Sequence, residues 1–287
     1  MKIWQKEYKI VKNIYHDYRE RYIIYILERN GKKYFYKELN HDKKDRFYAQ
    51  ILFQKKAEVS DRAIILPKLY DYDFKVEKSW ILWEYLLGQH LAEWKPKNIK
   101  DFERWLEPIV AMIIELQKIK PAPAEFDIPD RMILRVNQWT KEPIELGKFK
   151  TSVKKKIIDF IKKNRSLIKI GFNHSDLVPW HMHEIKYPKF ALVDYEGSKN
   201  KPLYYDIAYI YHRLYTKLAE PKLADKLLEI YKEKANLPEN FDKIFLTILG
   251  ARITGGFFDC IVNKDGTDIK LHQRLLKNYL EVYNEQN

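Results

Sequence analysis

The sequence predicts an α+β protein with a small β-rich first lobe and a larger helical second lobe. Three observations predict it. Residues 8–39 alternate like strands and contain Asn30-Gly31, a dipeptide that marks a tight hairpin turn. After Gly88 the apolar side chains recur at helical spacing instead. Within that helical half, Asp176 and Asp194 bracket two short strands and a turn over 184–189, so one hairpin delivers two acidic turns.

The elements follow in order. Residues 22–27 and 33–39 are the arms of the Asn-Gly hairpin. Asp42 is placed to cap a helix that carries Phe47, Ile51 and Leu52 on one face and runs to about Glu58. Residues 64–67 and 80–85 are further strands, separated by a polar turn over 70–78. Five strands around one helix make residues 1–83 the first lobe, 84–88 a hinge, and 89–287 the second lobe. In the second lobe, 99–118 is helical until Pro121-Ala122-Pro123 stops it, and 151–165 is another helix. Residues 205–218, 222–235, 242–254 and 271–285 continue the helical pattern, with no repeat and no low-complexity segment.

Composition sets the class. Of 287 residues, 46% are apolar and 32% charged, which suits a globular chain with a substantial core. No charge-free apolar run approaches the ~18 residues of a membrane span, and the first residues lack the apolar centre of a signal peptide. The single cysteine, Cys260, cannot form an internal disulfide, which fits a reducing cytoplasm. The net charge of +13 raises the question of a nucleic-acid partner. Its densest patch, seven lysines between 148 and 163, alternates at helical spacing with Val153, Ile157, Ile158 and Ile161. That is the wet face of an amphipathic helix, and no specific nucleic-acid partner is expected.

Four motifs carry chemistry. Lys37 ends a strand and offers a point charge on a rigid element. Trp83-Glu84-Tyr85-Leu86-Leu87-Gly88 leaves a strand for the hinge. His174-Ser175-Asp176-Leu177 places a carboxylate in a loop, and Val193-Asp194-Tyr195-Glu196 places a second one at the end of an apolar strand. Asp206-Ile207-Ala208 opens a later helix.

In this order and over nearly the whole chain, these motifs resemble the aminoglycoside phosphotransferase and choline kinase group of small-molecule kinases, which share the two-lobed protein-kinase-like fold. The resemblance implies ATP or GTP as donor, a divalent cation (Mg²⁺, with Mn²⁺ the alternative) and a small-molecule hydroxyl as acceptor. It implies that Lys37 binds the inner phosphates and that the backbones of Glu84 and Leu86 hold the adenine edge. Asp176 orients the acceptor hydroxyl, Asp194 holds the metal, and Asp206 ties down the catalytic loop or caps its helix.

The chain departs from that pattern. His181 stands where the group has a metal-binding Asn; imidazole is a poor ligand for Mg²⁺ and suits Mn²⁺ or Zn²⁺ better. The first-lobe helix offers Gln50, Gln54 and only Glu58 as an acid to pair with Lys37, and residues 12–21 contain no glycine for a phosphate-covering turn. Two alternatives therefore stay open: a kinase-like binding protein with little turnover, and a metal-dependent hydrolase using His174, Asp176, His181 and His183. The acceptor is not legible, although charge balance over 215–287 disfavours a polycation. Tyr209, Tyr211, Tyr215, Phe257 and Phe258 are pocket candidates that equally suit a core.

Overall fold

A computed structural model describes residues 1–3, 6–14, 22–39, 44–59, 64–74, 79–94, 99–121, 127–264 and 269–285. By internal contacts the chain divides into two units, Met1–Glu93 with Trp180–Ser198, and Trp94–Pro179 with Lys199–Asn287. The acidic hairpin, expected within 89–287, thus groups with the first unit.

In the first unit, β1 (Lys2–Ile3) pairs with β2 (Lys6–Glu7). A five-stranded antiparallel sheet follows from β3 (Lys9–Asn13), β4 (Tyr22–Arg29), β5 (Lys32–Leu39), β6 (Leu69–Asp73) and β7 (Trp80–Glu84), in the order β3-β4-β5-β7-β6. Helix α1 (Lys44–Val59) lies between β5 and β6 in the chain; the expected Asp42 cap lies outside the described residues. Successive side chains of β7 point to opposite faces. Trp80 and Leu82 join Ile3, Tyr8, Leu27 and Tyr36, whereas Ile81 and Trp83 join Phe47 and Ile51 of α1. A strand buried on both faces reads as a continuous apolar run, which is what Trp-Ile-Leu-Trp is.

One expected strand is corrected. Residues 64–67 form only an isolated bridge, Ile65 to Ala191, and the fifth strand is β6, inside the stretch expected to be a turn. Pro67 has no N–H for a ladder, while Leu-Tyr-Asp-Tyr-Asp alternates as a sheet edge does.

The second unit begins with α2 (Ile99–Glu103) and α3 (Leu106–Lys118), so the single helix expected over 99–118 is broken. Pro108 is the cause: its ring clashes with the carbonyl of Arg104 four residues back, and it has no N–H to donate. Helix α4 (Ile128–Glu145) was not expected; Asp127 caps it by accepting the Asp130 N–H at 3.0 Å, with Pro129 in its first turn. Helix α5 (Thr151–Lys163) buries Val153, Ile157 and Ile161 as expected, and Phe160 with them, while Ile158 is half-buried. Strand β8 (Ile170–Asn173) leads to the loop that carries His174 and Asp176. The chain then crosses to the first unit for the hairpin β9 (Met182–Lys186) and β10 (Lys189–Leu192).

It returns as β11 (Lys199–Pro202), antiparallel to β8. Helices α6 (Tyr205–Thr216), α7 (Pro221–Lys234), α8 (Phe241–Ile261) and α9 (Ile269–Glu285) complete the unit. Among the described residues α8 is the one helix long and apolar enough to cross a membrane, but 78% of its apolar window is buried inside the protein, as in a core helix.

Candidate active site

The first unit assembles one half of the predicted site. Hairpin β9–β10 is fixed to the sheet side by the Leu192 N–H donating to the Ile65 carbonyl at 2.8 Å and the Glu184 N–H donating to the Gln89 carbonyl at 2.9 Å. Gly88 crosses the hairpin so closely that a Cβ there would lie 1.7 Å from the Glu184 oxygen, so no side chain fits. The His183 ring lies 3.3 Å from the Gly88 carbonyl, and burial, the main cause, holds its pKa below the usual range. This histidine fastens the hinge as a neutral ring. It supplies nothing to the histidine cluster of the hydrolase reading.

Lys37, on β5, is only 6% exposed. Its ammonium donates to Asp194 Oδ1 at 3.2 Å and to Glu196 Oε2 at 2.9 Å. Glu196, two residues beyond Asp194, is thus a described acid that pairs with Lys37; Glu58, the acid sought on the helix, lies among residues whose side chains are not described. Helix α1 also contributes a cation: Arg46 Nη1 donates to Glu196 Oε1 at 2.9 Å. Gln54 of α1 accepts the Tyr195 hydroxyl at 2.7 Å, and the Tyr195 ring stacks on Phe53. Tyr195 thus anchors the turn that holds both acids.

Asp194 adopts left-handed backbone, φ 57° and ψ 48°, a conformation that only Asn, Asp and Gly visit readily and that clusters at functional sites. Its Oδ2 lies 3.4 Å from His181 Nε2. Two neighbouring ligands on one octahedral cation, at ~2.1 Å each, stand ~3 Å apart. The pair fits a divalent cation, and its mixed oxygen and nitrogen donors suit Mn²⁺ better than Mg²⁺. At the hinge, the Glu84 N–H donates to the Lys68 carbonyl at 2.8 Å, which leaves only its carbonyl for an adenine. Among the described residues the Leu86 backbone has no hydrogen-bond partner.

The second unit assembles the loop that carries Asp176. Buried Asp206, at the start of α6, accepts the His174 N–H at 2.8 Å and the Ser175 N–H at 2.9 Å. Burial pushes its pKa up to about 6, while the two N–H donors oppose that rise. Ser175 is left-handed, with φ 71°, and the Asp176 N–H donates to His174 Nδ1 at 3.3 Å, so His174 braces the loop.

One turn along α6, the Tyr209 hydroxyl donates to Asp176 Oδ1 at 2.5 Å. Burial, and then the Asp176 charge, raise the Tyr209 pKa and keep it a donor. Arg213 donates to the Tyr209 oxygen from Nε at 3.3 Å and Nη2 at 3.1 Å. The Arg252 guanidinium lies 4.8 Å over the Tyr209 ring, and both arginines bond Asp259. Asp206, Tyr209 and Arg213 stand three and four residues apart, which puts them on one helix face. That spacing was the available signal for Tyr209 and Arg213. Nothing local marked Glu196, Arg46, Arg252 or Asp259 as members of the site.

Comparison with protein families matches residues 40–241 to APH, the phosphotransferase enzyme family. Comparison with curated proteins finds no match. Among solved structures, the chain resembles spectinomycin phosphotransferase APH(9)-Ia in complex with ADP and spectinomycin, at 12% identity and TM-score 0.57, over 94% of this chain and 88% of the other. It resembles the choline kinase LicA from Streptococcus pneumoniae at 16% identity and TM-score 0.57, covering 96% and 94%. A Plasmodium vivax ethanolamine kinase aligns at 15% identity and TM-score 0.56, covering 98% and 83%. Such likenesses show the fold, the two-lobed protein-kinase-like one that the sequence predicted.

Proposed function

Because the chain belongs to the phosphotransferase enzyme family, we propose that it transfers a phosphoryl group from ATP or GTP to a hydroxyl of a small molecule. The observation that carries this reading is the Asp194 carboxylate, with one oxygen on the Lys37 ammonium and the other facing His181. A lysine for phosphates and a carboxylate for their metal are the two fixed charges that phosphoryl transfer needs from this half of a site.

The roles follow from the chemistry. Lys37 neutralises the inner phosphates, and Glu196 keeps its ammonium in place. Asp194 and His181 hold the divalent cation, which when bound offsets charge building on the transferred phosphoryl group. The Glu84 carbonyl and the Leu86 N–H hold the base. Asp176 receives the acceptor hydroxyl's proton as that oxygen bonds to phosphorus and the bond to the nucleoside diphosphate breaks. Its Oδ1 accepts the Tyr209 hydroxyl, which fixes the plane of the carboxylate that takes the proton. The ADP complex of the spectinomycin phosphotransferase supports a nucleotide donor.

His181 favours a second reading, binding with little turnover, because imidazole weakens a site for Mg²⁺. Calorimetry with ATP and then GTP, each with Mg²⁺, with Mn²⁺ and without metal, tests the first reading. Metal-dependent binding lost in Asp194→Ala supports it, and no binding of either nucleotide overturns it. Nucleotide binding without turnover on any hydroxyl acceptor selects the second reading.

A further inference from the structure

The second unit contains a cavity of about 560 Å³, counting its open mouth, between α4, β11, the start of α6 and α8. Five cations line it: Arg131 and Arg135 of α4, Lys199 and Lys201 of β11, and Arg252 of α8. No acidic residue lines it. The nearest carboxylates are committed elsewhere. Asp206 accepts the catalytic-loop N–H groups, Asp259 holds Arg213 and Arg252, and Asp130 holds Arg165 at 2.7 and 3.0 Å.

Three of the cations lie against aromatic faces, and for Lys201 and Arg135 such a contact positions a positive charge without neutralising it. Lys201 Nζ lies 4.1 Å over the Tyr205 ring, Arg252 5.7 Å from the Trp139 ring and Arg135 6.0 Å from the same ring. Buried Arg252 also keeps an Nε with no hydrogen-bond partner. Burial first, and then repulsion from the neighbouring cations, lower the Lys201 pKa to about 7 and that of Lys199 to about 8. Like charges gathered around a concave space repel one another until an anion enters it.

Two side chains that line the cavity lead through Tyr209 to the Asp176 carboxylate. Tyr205 packs beside Tyr209 with ring centroids 5.7 Å apart, and Arg252 lies over Tyr209, whose hydroxyl holds Asp176. We propose that this cavity is the acceptor pocket and that its acceptor is an anionic hydroxy compound, carrying a phosphate or carboxylate group that Lys201, Arg135 and Arg131 bind. The acceptor role rests on the phosphotransferase reading; the anion site does not. The same field repels aminoglycosides, choline and ethanolamine.

The test measures anion binding to the full chain without nucleotide, by calorimetry with inorganic phosphate, glucose 6-phosphate, citrate, glucose and choline. Phosphate, glucose 6-phosphate or citrate should bind, with glucose and choline inert. Arg135→Gln with Lys201→Met should weaken that binding at least ~10-fold, the loss expected for charged hydrogen bonds. Both side chains reach the mouth, and Met keeps the apolar stem over Tyr205, so the fold should survive. Lys148→Gln with Lys162→Gln, exposed lysines just before α5 and on it, should leave binding unchanged. Equal weakening by the two pairs, no binding of any of the three anions at millimolar concentration, or binding of choline overturns the proposal. Lost nucleotide binding with anion binding intact would overturn the kinase reading alone. Once turnover is in hand, the pocket pair should raise KM for an anionic acceptor and leave kcat in place; a fall in kcat at constant KM would overturn the acceptor role.

Discussion

Glu196→Gln isolates the charge that holds Lys37. The substitution keeps the shape and one amide oxygen that can still accept from Lys37, and it removes the negative charge and the acceptor that faces Arg46. The Lys37 side chain is 7% exposed and that of Glu196 is 18%, so water screens this pair poorly. A hydrogen bond to a charged group contributes about 1.5–3 kcal/mol and a neutral one about 1, so the change should destabilise the first unit by about 1–2 kcal/mol. Arg46, at 33% exposure, is the control: its pair with Glu196 should contribute about 0–1 kcal/mol. Urea unfolding of Glu196→Gln, Arg46→Gln and the double variant reads both terms, as shifts in midpoint at constant slope. If Glu196→Gln shifts the midpoint no more than Arg46→Gln does, Glu196 is a screened surface acid and does not place Lys37.

Three further outcomes are expected. Tyr209→Phe removes the hydrogen bond to Asp176 and leaves the Arg213 donors short of an acceptor; kcat should fall roughly 10–100-fold at unchanged nucleotide affinity, and an unchanged kcat rejects the role. His181→Asn should raise Mg²⁺-dependent nucleotide affinity and narrow the preference for Mn²⁺, both measured by calorimetry; equal Mg²⁺ affinity means His181 does not face the metal. The pH dependence follows from Lys201 and Lys199, with folded pKa values lowered to about 7 and about 8 among Arg131 and Arg135 of α4, Tyr205 and Asp206 of α6, and Arg252 of α8. An unfolded lysine keeps its proton to about pH 10.4, so from roughly pH 7 to 10 the unfolded chain holds more protons and these two groups make stability rise with pH. A bound anion raises both pKa values, so binding should take up protons at pH 8 and almost none at pH 6. Calorimetry at pH 8 in buffers of different ionisation heat reads that uptake, and equal heats would reject it.

The sequence disclosed those parts of the site that are local. Lys37, Asp176 and Asp194 each end a strand or sit in a short loop whose pattern is visible in a few residues, and the structure has the hairpin between the two acids as expected. Partnerships across the chain were hidden. Glu196 stands two residues beyond Asp194, yet its meeting with Lys37 depends on how the hairpin docks, through Ile65 and Gln89, onto a sheet built more than 100 residues earlier. Helix α4, not expected from the sequence, carries two prolines at tolerated positions, Pro129 in its first turn and Pro143 two residues from its end. The cavity's cations come from 131–135, 199–201 and 252, and no window of sequence holds them together. The charge count pointed instead to the lysines of α5, the more conspicuous cluster and the less informative one.

One face of α6 links the second unit's separate tasks. Asp206 fixes the loop backbone, Tyr209 orients the Asp176 carboxylate, and Arg213 holds Tyr209. A change there acts on the loop, the Asp176 carboxylate and the packing together. The cavity is arranged otherwise. Arg135 and Lys199 are exposed, Arg131 and Lys201 half-buried, and they stand on α4 and β11, away from the loop's own hydrogen bonds. Acceptor charge can therefore change through these four positions while the loop and the phosphate-side charges stay fixed. That separation explains how a chain with Lys37, Asp176 and Asp194 in the expected order can carry a cavity whose sign is opposite to what choline or an aminoglycoside requires.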